Sequence, residues 1–366
     1  MKIDILRSFF RFYLAGKIPS QEKIKINSIK TILVMSNTAI GDTLFSTPAL
    51  RLIKERYPNK KVIGLLNPKN SLLFDNNPYI DILILYSGKW RQFLRTVFEL
   101  RRHNIDLAFI MHSNEPQATP MAYCSGIKYI IKIPNDQNEF NFLHYNSVTI
   151  PNRNEHFIDR RLNQLESINI YTKSYQMDIF PKEEWRKSIK GMLKDDTVNI
   201  GFQVGASTLS RMWFVEKWID LARLVLNHNK NWHIVLTGAK IDKTSSSSIS
   251  SVLSDERVVD LTGKLDLGGV SALIDKLDLL VTPDTGPLHI AAAMKTPTIA
   301  ISVAGRALES NPRSKDIKHI FIQKQITCEP CVDKKCKYQK CMLQITSSEV
   351  FEKILNIVEF EILVFI

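Results

Sequence analysis

The stretch TILVMSNTAIGDTLFSTPALRLIKERYPN, residues 31–59, reads as a strand, a loop and a helix in succession. Thr31–Ser36 is apolar and partly β-branched, the pattern of a buried strand. Leu44, Ala49, Leu52 and Ile53 recur near helical spacing, and Pro58-Asn59 ends the run. Pro48 sits early in this helix, where proline is tolerated near a first turn or bends the helix. Between strand and helix lies Asp42, the sole charged residue in 36–50, directly after Ile40-Gly41. It is either a helix cap or a chemical reagent, and the local pattern allows both.

Beyond this stretch the same alternation repeats. KVIGLL, DILILY and DLAFIMH read as strands, with a helix over residues 89–103 between the last two. From 126 to 180 the pattern weakens into a stretch rich in Asn, Pro, Tyr and Lys, as at a connection between domains. A second series starts at TVNIGFQVGAS and runs through VEKWIDLARLVLNH, HIVLTG, a Ser-rich helix near 243–254, RVVDLTG, GVSALIDKLDLLVT and PLHIAAAMKTPTIAIS. Strands alternating with helices give βαβ units and parallel sheets. A chain of 366 residues exceeds the size at which one core stops growing. The expectation is therefore an α/β protein of two doubly wound domains, residues 28–180 and 190–345. Before them lies a basic amphipathic segment, 1–27, and after them an apolar helix, 346–366, packing back. There is no internal repeat.

Composition narrows the class. Hydrophobic residues make up 44% and charged residues 23%, as in ordinary globular proteins rather than disordered chains. The net charge of +12 favours acidic partners: nucleic acid, anionic lipid headgroups or phosphorylated small molecules. Basic residues are scattered rather than clustered with aromatics, which argues against nucleic acid. No apolar run reaches the length of a transmembrane helix. Arg7 and Arg11 interrupt the N-terminal apolar stretch, so it does not read as a signal peptide. It is either a helix lying on an anionic membrane surface or one packed on the first domain.

In doubly wound sheets ligands bind beyond the carboxyl ends of the strands. Three loops qualify: those after TILVMS, after VNIGFQV and after DLLVT. In VTPDTGPLHIAAAM, Asp284-Thr285-Gly286 makes a tight turn and Pro287 opens a helix. Backbone N–H groups at such a start form an anion site that Gly286 lets a phosphate approach, with Leu288 on the helix start. Thr285 adds a hydroxyl and His289 lies one turn inside. The alternative is a capped helix with a structural histidine. In VGASTLSRMW, Ser207, Thr208 and the Arg211 fork suit phosphate oxygens, though a purely structural loop accounts for them as well. P-loop, dinucleotide, zincin and hydrolase-elbow motifs are absent, and no D-x-D pair is placed to hold a divalent cation on a diphosphate.

With these residues in hand, IGDTLFSTPALRLIKERYP, GFQVGASTLSRMWFVEKWIDLA and VTPDTGPLHIAAAMKTPTIAIS, in that order, resemble the bacterial heptosyltransferases of glycosyltransferase family 9. The resemblance spans most of residues 31–302. It implies a GT-B fold, two Rossmann-like domains facing across a cleft, with the C-terminal helix crossing to the first domain. It also implies inverting transfer of heptose from ADP-heptose to the lipopolysaccharide inner core, without an obligatory metal. By position, Asp42 matches the family's general base, with Gly41 and Thr43 flanking it in the acceptor loop. Asp284, Thr285, Gly286 and His289 match diphosphate and heptose contacts, and Ser207 and Thr208 match hydroxyls that touch phosphate. Asp242, after VLTG, is the candidate for the nucleoside ribose. Arg211 stands where the family usually has Lys, exchanging a point charge for a planar fork.

Two rivals remain: a transferase of the same fold with another nucleotide sugar and acceptor, and a non-catalytic nucleotide-sugar-binding protein. The implied partners are a nucleotide-sugar donor and a glycolipid or glycan acceptor. The implied location is the cytoplasm, peripheral to the inner face of its membrane. Cys328, Cys331, Cys336 and Cys341 form C-x2-C-x4-C-x4-C, compact enough for structural zinc although crowded by lysines. Unmetallated cysteines are the alternative.

Overall fold

The computed structural model describes residues 2–17, 22–135, 138–145, 155–303, 307–314, 316–325, 328 and 336–364. The chain divides into two units, Met1–Asp178 and Ile179–Ile366. The first begins with α1 (Lys2–Leu14). It continues through β1 (Thr31–Ser36), α2 (Ile40–Leu44), α3 (Thr47–Arg56), β2 (Lys61–Leu66), β3 (Ile82–Leu85) and α4 (Phe93–Arg101). β4 (Leu107–His112), α5 (Ala118–Cys124), β5 (Tyr129–Ile131) and α6 (Phe157–Asn163) complete it. The five strands are all parallel, in the order β3-β2-β1-β4-β5. Central β1 is buried along its whole length, which explains its unbroken apolar sequence.

The second unit runs α7 (Glu183–Ser188), β6 (Val198–Gln203), α8 (Val215–His228), β7 (Trp232–Thr237), α9 (Lys243–Leu253) and β8 (Val258–Asp260). It then adds α10 (Leu267–Asp275), β9 (Leu279–Pro283), α11 (Gly286–Met294), β10 (Thr298–Ser302), α12 (Ala307–Ser310) and β11 (His319–Gln323). α13 (Lys340–Leu343) and α14 (Ser347–Val364) end it. Its six parallel strands are ordered β11-β10-β9-β6-β7-β8.

The helix expected over 89–103 is α4 preceded by a short 3-10 turn, Trp90–Gln92. Around Pro48 the single expected helix is two, α2 and α3, with Pro48 in the first turn of α3. The described residues of the weakly patterned stretch from 126 to 180 belong, up to Asp178, to the first unit. They carry β5 and α6, and Asp178 pairs with Arg51 of α3. Of the last helix, Val350, Ile354, Ile357 and Val358 of α14 join the core of the second unit with Trp213, Trp218 and Leu221. Burying four aliphatic side chains there, each worth about 1.5–3 kcal/mol, accounts for that placement.

At the N-terminus Phe10 and Leu14 are buried in the first unit's core, Phe10 against Trp90 and Phe93. Phe9, Phe12 and Tyr13 of the same helix are exposed. No helix among the described residues is long and apolar enough to cross a membrane. Of the cysteine cluster, Cys331 lies outside the described residues, and Cys328, Cys336 and Cys341 are partly buried. Among the described residues no group of three or more His, Cys, Asp or Glu side chains is placed to hold a metal.

Candidate active site

In each sheet the chain steps to opposite sides of one strand. In the first unit β1 has β2 on one flank and β4 on the other; in the second, β6 lies between β7 and β9. Such switch points leave a crevice beyond the strands' carboxyl ends.

The first crevice contains Asp42. Ala39 is the N-cap of α2, and no side chain caps this helix. The opening alternative of a cap therefore falls away: Asp42 sits inside the first turn with its carboxylate committed elsewhere. Oδ1 accepts from Nη2 of Arg161 at 3.3 Å, and Oδ2 accepts from the Thr38 hydroxyl at 3.2 Å. Arg161 belongs to α6 and is 2% exposed. Its Nε donates to Ser46 Oγ at 3.1 Å and its Nη1 to the Phe157 carbonyl at 2.8 Å. The guanidinium lies over the rings of Phe45 and Phe157. Burial lowers its pKa to about 10, with Asp42 opposing the shift, so it remains a cation at neutral pH. The backbone of the turn is tied as well. Ser36 and Ser46 hydroxyls both donate to the Asp42 carbonyl at 3.2 Å.

His112, at the end of β4, completes this cluster. Opposite β4 the register of β1 shifts between Met35 and Ser36, which brings Ser36 level with His112. Such irregularities re-aim side chains next to functional sites. Nδ1 of His112 lies 2.6 Å from the Thr38 hydroxyl and 3.6 Å from Asp42 Oδ2. Thr43 is 1% exposed, and its hydroxyl donates to the Ser36 and Ala39 carbonyls. It holds the loop shut from within. Gly41 is buried beside it.

The second crevice gathers the residues read from the other two loops. Thr285 is the N-cap position of α11, but its hydroxyl donates back to the Pro283 carbonyl and no side chain caps the helix. Asp284 Oδ1 lies 3.9 Å from Nε2 of His289, with both side chains under a tenth exposed. Arg211 donates from Nη1 to the Asp284 carbonyl at 2.9 Å, which ties the loop after β6 to the loop after β9. Thr208 and Ser210 share a hydrogen bond of 3.1 Å, while Ser207 is exposed. Leu288 is fully buried, so its side chain serves the core and only its backbone belongs to the helix start.

Asp242 is 8% exposed and is held locally, its Oδ2 accepting from the Ala239 N–H at 2.8 Å. It presses against Gly205, where a Cβ would fall 1.9 Å from Oδ2. A bare backbone at Gly205 is thus a condition of the fold there.

The sequence reading brought forward Asp42 in the first crevice and Asp284, Thr285, Arg211 and His289 in the second, where Arg211 meets the Asp284 carbonyl and His289 faces its carboxylate. It missed Thr38, His112 and Arg161. Arg161 lies 119 residues from Asp42 within the stretch taken for a connection. His112 closes a strand, and its position carries a signal only once β4 is known to lie beside β1.

Two parallel α/β units, each with polar loops at its switch point, are the architecture of GT-B glycosyltransferases. A sequence profile of glycosyltransferase family 9 (heptosyltransferase) matches residues 94–342. The chain is 25% identical over 336 residues to lipooligosaccharide heptosyltransferase 2 of Campylobacter jejuni, covering 90% of this chain and 98% of the relative. It is 26% identical over 276 residues to lipopolysaccharide heptosyltransferase 3 of Escherichia coli, covering 71% and 79%. Among solved structures, ADP-heptose LPS heptosyltransferase II of Escherichia coli superposes with a TM-score of 0.74 at 20% identity, covering 90% of this chain and 99% of that one. A family 9 glycosyltransferase from Veillonella parvula gives 0.75 at 20% identity, covering 90% and 96%. The protein belongs to glycosyltransferase family 9 and is a glycosyltransferase.

Proposed function

We propose that the protein transfers a heptose from ADP-heptose to a lipopolysaccharide core acceptor with inversion, Asp42 acting as general base. The observation that carries this reading is the carboxylate of Asp42. It is braced on one oxygen by a buried arginine at the switch point of the first unit. A carboxylate held this way keeps one orientation and needs no reorganisation when it receives a proton. The acceptor hydroxyl forms the new C–O bond at the anomeric carbon and gives its proton to Asp42. The bond to the diphosphate oxygen breaks on the opposite face.

In the second unit the start of α11, with Thr285 and Gly286, together with Arg211, Ser207 and Thr208, takes the diphosphate and the charge that develops on it. Asp284 and His289 contact the sugar, and Asp242 is assigned to the ribose. No step in this scheme requires a metal. Exposed Phe9, Phe12 and Tyr13 beside Arg11 support contact of α1 with the anionic inner face of a membrane, where a lipid-linked acceptor is met.

The decisive experiment incubates purified protein with ADP-heptose and a heptose-deficient core acceptor and measures ADP release. Turnover that disappears in Asp42→Asn supports the reading, and full rate in that variant overturns the mechanism. One observation favours a second reading with a different nucleotide sugar: Arg211 spends Nη1 on the Asp284 carbonyl, a role the usual lysine would fill with different geometry. A thermal-shift panel of nucleotide sugars separates the two, because the tightest ligand raises stability most.

A further inference from the structure

The hydrogen bonds around Asp42 form a chain that the transfer mechanism above leaves unused. The Thr38 hydroxyl donates to Asp42 Oδ2, and its oxygen lies 2.6 Å from Nδ1 of His112. A hydroxyl has one proton. With that proton given to the carboxylate, Thr38 can only accept from the ring, so His112 carries a proton on Nδ1. Its Nε2 is then the position that titrates, on a side chain 49% exposed.

We propose that His112, acting through Thr38, is a positioning residue for Asp42, fixing Oδ2 and opposing proton uptake by the carboxylate whenever the ring is itself charged. The proposal rests on the reading of Asp42 as base. In the neutral state the chain from Nδ1–H through Thr38 to Oδ2 holds one carboxylate oxygen, while Arg161 holds the other. Acquisition of a proton at Nε2 leaves this chain intact but places a full positive charge 3.6 Å from Oδ2. The carboxylate is then bound as an ion pair and competes poorly for the acceptor's proton.

The charged groups facing His112 are Asp42 on α2, Arg161 on α6 and Lys132 beyond β5, the last paired with Glu115. Protein packed around the ring is the main influence and lowers its pKa. Arg161 and Lys132 act in the same direction, and Asp42 opposes them, leaving the ring below its ordinary 6.5. His112 is therefore neutral at pH 7, and its protonation enters as the pH falls below 6.5.

The test compares kcat and KM across pH 5 to 8.5 for the full chain and the variants Thr38→Val, Thr38→Ser and His112→Asn, with circular dichroism confirming folding. Thr38→Val should lower kcat about tenfold, the order of one charge-assisted hydrogen bond, with donor KM unchanged. Thr38→Ser should restore the rate to within about twofold. Asn at 112 can still donate to Thr38 but cannot titrate, so His112→Asn should retain most activity at pH 8 and shift the acid limb to lower pH. A wild-type kcat in Thr38→Val, or an unshifted acid limb in His112→Asn, overturns the proposal. Asp42→Asn, run alongside, tells the two failures apart. If it keeps its rate, the base reading falls and takes this proposal with it. If it is inactive while the other variants match wild type, only the role of His112 falls.

Discussion

Arg161 reaches Asp42 from another helix, its Nη2 at 3.3 Å from both the carboxylate Oδ1 and the backbone carbonyl of the same residue. One guanidinium thus fixes the side chain and the turn that carries it, while Nε and Nη1 anchor on Ser46 and Phe157. Arg161→Met leaves those acceptors unmatched and the carboxylate unpaired. Removing one partner of a buried pair costs about 3–5 kcal/mol, less here because Asp42 is partly exposed. The expected loss is about 2–4 kcal/mol in urea denaturation, with kcat reduced at least about tenfold. Arg161→Lys keeps the charge but cannot span three sites, and should recover less than half of each loss.

Asp42 itself should weigh more heavily on turnover than Arg161 does. It caps nothing, and its side chain contributes one ion pair and one hydroxyl contact. Asp42→Ala should therefore lower kcat by about 10²–10⁴-fold, the usual contribution of a general base. The buried Arg161 cation loses its counter-ion but keeps Ser46 and the carbonyls of Phe157 and residue 42 as acceptors, so unfolding stability should fall by about 2–4 kcal/mol. Steady-state kinetics and thermal denaturation on the same preparation check both numbers. A larger loss of stability than of transition-state binding would return Asp42 to a structural role.

The sequence reveals what is local. Thr31–Ser36 and Leu279–Pro283 are strands because they are apolar over a strand's length, and Pro287 marks a helix start on its own. Asp284, Thr285 and His289 are read together because they lie within one short run of sequence. Arg161 and His112 are not legible in that way. Each becomes a neighbour of Asp42 only through tertiary packing, Arg161 by the docking of α6 and His112 by the pairing of β4 with β1. The placement of α14 is hidden for the same reason: its apolar face specifies burial but not the surface that provides it.

Histidine burial predicts an acid-sensitive fold. His144 is 2% exposed, with Nε2 2.9 Å from the Thr119 hydroxyl, and burial pushes its pKa down to about 3, with Lys132 adding to the effect. Burial likewise lowers His319 to about 4. An unfolded chain binds protons at these rings near pH 6.5, whereas the folded chain does not. Their contribution is therefore fully present above pH 6.5 and is lost as the pH falls toward the folded values. One such group costs about 1.4 kcal/mol per pH unit, so His144 alone should remove about 2 kcal/mol between pH 6.5 and 5. Urea denaturation at the two pH values should show the loss, and His144→Gln, which keeps a partner for Thr119, should flatten it.

Gly205 offers the sharpest structural test of the second unit. A Cβ at this position would meet Oδ2, Cγ and Oδ1 of Asp242 at 1.9, 2.1 and 2.6 Å. Asp242 cannot simply swing away, because it is 8% exposed, holds the Ala239 N–H and is flanked by Gly238. The Gly205 carbonyl in turn accepts from Gln203, whose side chain is bound by Thr237, so the loop after β6 is fixed from its other side. Gly205→Ala must therefore displace either the Asp242 turn or the loop leading to Ser207, Thr208 and Arg211. Overpacking of this kind costs about 1–3 kcal/mol. Nucleotide-sugar affinity should fall alongside stability, because both candidate donor contacts move. The double variant Gly205→Ala with Asp242→Ala removes the clash and should regain most of the stability while leaving affinity low. A single variant with wild-type stability would show that the two loops are not in contact.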